Sequence, residues 1–234
     1  MREKIDQIVR WLHNTYGDKS AVIAVSGGVD SAVSLTLLVK ALGVGRVIPI
    51  CLPYKNQDMV DAGKIIEFNG LNMNKIEINI GQIVDVIAEA LGAEEGSVRK
   101  GNIMARVRMV TIFDIAKKNG ALVCGTENKS EHYLGYFTRF GDSASDVEPI
   151  STLYKTEVWE MAKMLGLPEI FYTKLPSAGL WEGQSDEGEM GFSYQQADKV
   201  LMGELEGIDE QIVVKVREMV ARNKFKLEVP YMLT

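Results

Sequence analysis

The stretch that most restricts the fold is a run of five apolar residues, 21–25, that ends in Ser26-Gly27-Gly28-Val29-Asp30-Ser31 and passes directly into a helical pattern over 31–42. Leu35, Leu38 and Leu42 fall on one face of that pattern. A short, wholly apolar run between turn residues reads as a strand buried on both sides, and such strands need helices over both faces of their sheet. Three more runs, 46–52, 75–80 and 121–124, are predicted strands, with helices over 58–68, 82–91 and 102–119 between them. The alternation specifies an α/β chain with a doubly wound parallel sheet, whose ligands bind beyond the carboxyl ends of the strands.

The turn itself has a chemistry. Two glycines let the backbone bend sharply and bring N–H groups close to an anion, and the helix that follows directs its positive end to the same point. Ser26 and Ser31 add hydroxyl donors, and Asp30 suits a phosphate site where it holds Mg²⁺. The alternative is a plain strand-to-helix turn with Asp30 or Ser31 as cap. The turn is not a Walker A loop, because no GxxxxGK[ST] occurs, and no GxGxxG follows the first strand.

Composition narrows the classes further. The 234 residues carry 26 Lys and Arg against 32 Asp and Glu, a net charge of −6 that speaks against nucleic-acid binding. Cys51 and Cys124 are too few for a disulfide framework or a four-cysteine metal site, and they fit a reducing cytoplasm. Residues 1–16 form an amphipathic helical pattern rather than an export signal, and no apolar run is long enough to span a membrane. The formal sequon at Asn128 then has no glycosylation meaning. The expectation is a cytoplasmic protein of one domain over 1–234, with C-terminal helices over 154–165, 194–205 and 208–222. Helix 102–119 is apolar on nearly all sides, so it is expected to pack against a second subunit as well as the sheet. Segment 175–191 has no period and reads as a long loop.

The Ser26–Ser31 turn resembles the diphosphate-binding loop of the N-type ATP pyrophosphatases, of Rossmann-like adenine nucleotide α-hydrolase fold. Downstream, Gly101-Asn102-Ile103-Met104-Ala105-Arg106, Gly125-Thr126-Glu127-Asn128-Lys129-Ser130-Glu131, Gly135-Tyr136-Phe137-Thr138-Arg139-Phe140-Gly141-Asp142 and Leu153-Tyr154-Lys155 resemble the NAD synthetases. So do Pro176-Ser177-Ala178-Gly179-Leu180 and Gly183-Gln184-Ser185-Asp186-Glu187, and the likeness runs from about residue 5 to 222. The resemblance implies ATP-dependent amidation of deamido-NAD by ammonia, giving NAD, AMP and pyrophosphate, in a homodimer. It implies ATP contacts at Ser26, Gly27, Gly28, Val29, Asp30, Ser31, Ala32, Val33, Thr126, Lys155 and Ser177, with catalytic roles for Asp30 and Lys155. Mg²⁺ is expected on Asp30 and Glu131, and deamido-NAD on Arg106, Arg139, Asp146 and Lys226. An intersubunit ion pair is the alternative for Arg106 and Arg108, and a plain solvated carboxylate for Glu131.

Two departures from the family stand out. Arg139 stands where lysine is usual, and Phe225-Lys226-Leu227 replaces a His-Lys-Arg run. No amidotransferase domain precedes Met1, so free ammonia is the expected nitrogen source. The rivals are a tRNA-modifying ATP pyrophosphatase and a non-catalytic nucleotide sensor. Elsewhere, His13 reads as a surface residue and His132 as a rim residue, while Trp181 caps a base or anchors its loop. The acidic cluster Glu182, Asp186, Glu187 and Glu189 reads as a solvated lid face, with a second metal as the alternative.

Overall fold

A computed structural model describes residues 1–71, 75–177 and 185–228. Trp181, Glu182 and the 178–184 part of the family-like segment lie outside the described residues. Four parallel strands form the sheet: β1 (Ala21–Ala24), β2 (Val47–Cys51), β3 (Ile76–Glu77) and β4 (Leu122–Cys124), in the order β3-β2-β1-β4. Ala21 lies opposite Val47 on one side and Leu122 on the other, so β1 is fully flanked. That explains its unbroken apolar sequence.

The alternation of β1 splits the core. Ala21 and Ile23 face α1 (Arg2–Tyr16), α2 (Val29–Leu42), α3 (Val60–Phe68), α7 (Lys155–Met164) and α8 (Ile170–Thr173), among Leu12, Leu35, Ile65, Met161 and Phe171. Val22 faces α4 (Gly81–Ala90) and α5 (Val98–Asn119), among Val84, Met104, Val107 and Ile115. Each fully buried Leu or Ile here contributes on the order of 1.5–3 kcal/mol of transfer free energy. A third cluster joins α6 (Lys129–Leu134) to α10 (Tyr194–Met202) and α11 (Glu210–Asn223) around Leu134, Tyr194, Ala197 and Val216.

Several boundaries differ from the sequence expectation for identifiable reasons. β3 is two residues long, because the Asn79 side chain clamps Lys55 of the neighbouring loop through both its N–H and its carbonyl. α5 begins at Val98, since Ser97 caps it by accepting from the Lys100 N–H. Segment 175–191 is not irregular throughout: α9 (Asp186–Met190) starts after Ser185, whose hydroxyl accepts from the Gly188 N–H. No described helix is long and apolar enough to cross a membrane.

The strand order sets the place of any ligand. From β1 the chain crosses to β2 and on to β3, whereas β4 lies on β1's other edge. The crevice beyond the ends of β1 and β4 is the switch point of the sheet.

Candidate active site

The turn after β1 opens into a cleft of about 1300 Å³ at that switch point. Gly27 has φ +84, and a Cβ there would stand 2.9 Å from the Ala62 nitrogen and 3.0 Å from Asp61 Cβ, at the start of α3. Both its conformation and its packing demand glycine. Gly28 differs: its φ is −82, and an added Cβ would meet only Ser26 Oγ at 3.4 Å. Glycine at 28 therefore keeps the cleft side of the backbone clear.

Hydroxyls stiffen the turn. The Gly28 N–H donates to Ser26 Oγ at 3.2 Å, and Ser31 Oγ donates to the Gly28 carbonyl at 3.0 Å. The two hydroxyls lie 3.2 Å apart, so Ser26 donates to Ser31 and closes a ring. Gly28 is the N-cap of α2 and supplies no side-chain acceptor. The capping role open to Asp30 or Ser31 is thus not the one they take. The first N–H groups of α2 and its positive end face the cleft.

Across the cleft, β4 delivers a second set of groups. Asn128 caps α6, accepting from the Glu131 N–H at 3.0 Å, and its side-chain amide donates to Asp30 Oδ1 at 2.8 Å. Lys155, the first residue of α7 and only 2% exposed, donates to Asp30 Oδ2 at 2.5 Å and to Glu131 Oε1 at 2.9 Å. Asp30 lies more than a hundred residues from Glu131 and Lys155 in sequence, yet the three form one cluster. Its ends are held by Asp198 of α10, which accepts from the Thr156 N–H and hydroxyl and from Ser130 Oγ, while Ser130 Oγ also accepts from the Lys155 N–H.

The charges in this cluster do not cancel. Asp186 lies close enough to Glu131 and Asp30 to be felt by both, so three carboxylates surround one ammonium. Burial drives the Glu131 carboxyl up to about 8, with Lys155 opposing and Asp30 reinforcing the rise. Burial works against the charge on Lys155, but Asp30 and Glu131 outweigh it and hold the lysine protonated. A site short of positive charge, built from hard oxygen donors, suits a divalent cation. No group of three His, Cys, Asp or Glu side chains among the described residues could hold a metal alone. Mg²⁺ commonly takes one or two carboxylates and completes its shell with phosphate and water, so Asp30 and Glu131 fit it.

Of the other expected ATP contacts, Thr126 and Ser177 line the cleft with Val29. Ala32 and Val33 do not. Both are residues of α2 fully buried in the core.

The expected dinucleotide residues divide. Lys226 lines the cleft and donates to the Gly135 and Phe137 carbonyls at 2.6 and 2.8 Å. Arg106, Arg139 and Asp146 lie outside the lining residues. Arg106 is exposed, not buried, and donates to the Arg139 carbonyl at 3.2 Å, while Arg139 donates to the Glu228 carbonyl at 2.5 Å. The arginine turned inward is Arg108, which reaches the Leu52 carbonyl and Gln57 Oε1, its pKa pulled down to about 10 by burial. Helical spacing separates the two arginines correctly but does not say which one faces in. Asp146 accepts from the Val123 N–H at 2.8 Å, a bond that ties its loop to β4.

Within the acidic cluster, Glu182 lies outside the described residues, Glu189 is exposed, and the solvated-face reading fails at Asp186. Asp186 is buried and accepts from Tyr194 and Tyr136, Glu189 also accepts from Tyr136, and Glu187 accepts from the Tyr194 N–H. Among residues the sequence argument passes over, Asn128 had a legible signal in the Asn-x-x-Glu capping box at 128–131. Glu148 had none. Its carboxyl lies so close over Gly125 that an added Cβ would come within 1.8 Å of Oε1, and Oε2 accepts from the Glu127 N–H at 3.1 Å. It thereby fixes the backbone that carries Thr126. His13 is exposed, as its helix position suggests, and His132 pairs with Glu127 outside the cleft.

Comparison with known proteins converges on the same place. The NAD synthase family model matches residues 1–230. The chain is 42% identical over 229 residues to an NH3-dependent NAD+ synthetase of Chlorobium phaeobacteroides, covering 92% of this chain and 82% of the relative. Its fold superposes on an NMN synthetase of Francisella tularensis with a TM-score of 0.90 and 33% identity, over 99% and 98% of the two chains. It superposes on an NH3-dependent NAD synthetase of Campylobacter jejuni with a TM-score of 0.83 and 28% identity, over 100% and 99%. A glycine turn at the switch point, the carboxylate–lysine cluster facing it and a match over nearly the whole chain lead to one assignment: this protein belongs to the NAD synthase family.

Proposed function

We propose that the protein makes NAD from deamido-NAD, ATP and free ammonia, working in the cytoplasm as a homodimer. The observation that carries this reading is the Gly27–Gly28 turn with Asp30 directly after it, joined to Lys155 and Glu131 in one cluster that lines the same cleft, in a chain of this family. The substrate carboxylate attacks the α-phosphorus of ATP, the bond to the β-phosphate breaks and diphosphate leaves. Ammonia then attacks the acyl carbon of the mixed anhydride and expels AMP, giving up a proton.

Each residue answers a charge in that sequence. Diphosphate gathers negative charge as it departs, and the N–H groups of 29–31 with Lys155 stand fixed to receive it. Asp30 and Glu131 would hold Mg²⁺, which when bound offsets phosphate charge and orients the triphosphate. Thr126 and Ser177 are suited to the nucleotide, while Lys226, Arg106, Arg139 and Asp146 are assigned to deamido-NAD. The last three lie outside the cleft lining of one chain, so their role relies on a partner subunit over α5.

A second substrate is favoured by specific observations. The Francisella protein of TM-score 0.90 is named an NMN synthetase, and Phe225 stands where the family has histidine for the dinucleotide. A mononucleotide bearing the same nicotinate carboxylate would not need that contact. Purified enzyme is given ATP, Mg²⁺ and ammonium with either deamido-NAD or nicotinate mononucleotide. Equimolar AMP, diphosphate and NAD from the first supports the main reading; turnover of the mononucleotide alone replaces it with the second.

A further inference from the structure

Lys174 is the C-cap of α8, three residues before Ser177, and it lines the same cleft as the glycine turn. Its Nζ donates to Asp61 Oδ2 at 2.6 Å, and Asp61 is the residue on which Gly27 rests. The lysine side chain is 55% exposed, so this ammonium is a reachable one, unlike that of Lys155. Asp61 has a second cation: Lys64 Nζ lies 3.0 Å from Oδ1. Loss of Lys174 would therefore leave the Asp61 carboxylate paired and still close to water. Lys174 is the member of this trio free to exchange partners at little cost.

We infer that Lys174 is a further diphosphate-binding residue, held beside the Gly27–Gly28 turn by Asp61 and exchanging that carboxylate for the outer phosphate of ATP or of diphosphate. The inference rests on the reading that this turn binds diphosphate. The physical need comes from the layout of charge. Lys155 sits deep, its ammonium shared between Asp30 and Glu131. The β- and γ-phosphates carry most of the charge of the leaving group, and the turn offers them backbone dipoles without a side-chain cation of its own. An ammonium on the outer rim adds a charge-assisted bond that strengthens as diphosphate separates. Asp61 serves as a placeholder: it keeps the lysine at the rim and competes with the ligand for it. That competition makes the contact readily reversible, which suits a product that must leave.

Calorimetry with Mg²⁺ and inorganic pyrophosphate, on the full chain, tests this against a plain structural ion pair. Lys174→Met should weaken pyrophosphate binding about tenfold and raise the KM for ATP similarly, with Lys174→Arg close to the parent. Asp61→Asn should act in the opposite direction, tightening pyrophosphate about threefold, because the competitor is gone. A structural clasp would make both substitutions loosen binding together, and that result overturns the inference. So does unchanged binding in Lys174→Met when the parent enzyme binds pyrophosphate and makes NAD. A parent that makes NAD or binds pyrophosphate only weakly, with no response in either variant, also overturns it; a parent that does neither removes the underlying diphosphate assignment and this one with it.

Discussion

Lys155 shows how much one residue determines here. It is a buried ammonium at a helix N-terminus, where the dipole disfavours a cation, and it stays charged because Asp30 and Glu131 flank it. Lys155→Met would strand two carboxylates, and stability should fall by about 3–5 kcal/mol in urea unfolding at pH 8. Asp30→Asn keeps the bond from Asn128 but halves the anionic hold on Lys155. It should lower turnover by about 10²–10³-fold while costing less stability than Lys155→Met, and unaltered turnover would remove Asp30 from the reaction. The pH dependence follows from Glu131. Its folded pKa, about 8, lies above the ordinary 4.5, so between these values the folded state holds a proton the unfolded chain has lost. Its contribution is fully present below pH 4.5 and disappears as pH rises through 8. Glu148, pushed up to about 7 by burial, slopes in the same sense, so the comparison that isolates Glu131 is with Glu131→Gln. Between pH 6 and 9 the parent should lose more stability than that variant.

At the level of elements, the glycine turn was legible in the sequence and its two glycines were not distinguishable. Spacing alone gives Gly27 and Gly28 the same work, and only the packing of α3 behind the turn separates them. Gly27→Ala forces a side chain into φ +84 and against the Ala62 nitrogen, a cost of about 1–3 kcal/mol that thermal or urea unfolding would show. Gly28→Ala suits its backbone and should leave stability within about 0.5 kcal/mol while raising the KM for ATP, because Gly28 lines the cleft. Equal destabilisation by both would mean that the turn is structural at each position. The elements missed from sequence share a cause. α6 and α9 span six and five residues, too few for a hydrophobic period, and their ends are set by Asn128 and Ser185. β1, β2 and β4 were found because burial on both faces leaves an apolar run in each, and β3 from the alternation of 75–80. The inward aspect of Arg108 and the tether from Glu148 to the Thr126 backbone were not, since both depend on which distant loop lies opposite.

For the whole molecule, the exposed face of α5 is the remaining demand. Arg106 and Val110 lie one turn apart on that face, both exposed, with Ile103 and Phe113 half-buried in the same stripe. Val110 is 63% exposed, and Val86 of neighbouring α4 and Leu91 just after it are 67% and 59% exposed. The expectation that α5 is covered on all sides is therefore not met within one chain. A second copy would bury this stripe, and it would also explain an arginine assigned to deamido-NAD that lies outside its own chain's cleft lining. The two requirements coincide in one substitution. Val110→Glu puts a carboxylate into the proposed contact and should shift the protein from dimer to monomer in sedimentation velocity. Because Val110 does not line the cleft, binding of pyrophosphate should survive, while the KM for deamido-NAD rises as the shared half of that site is lost. A monomeric parent would refute the dimer, and a dimer-breaking variant with unchanged deamido-NAD affinity would show that Arg106 acts within its own chain.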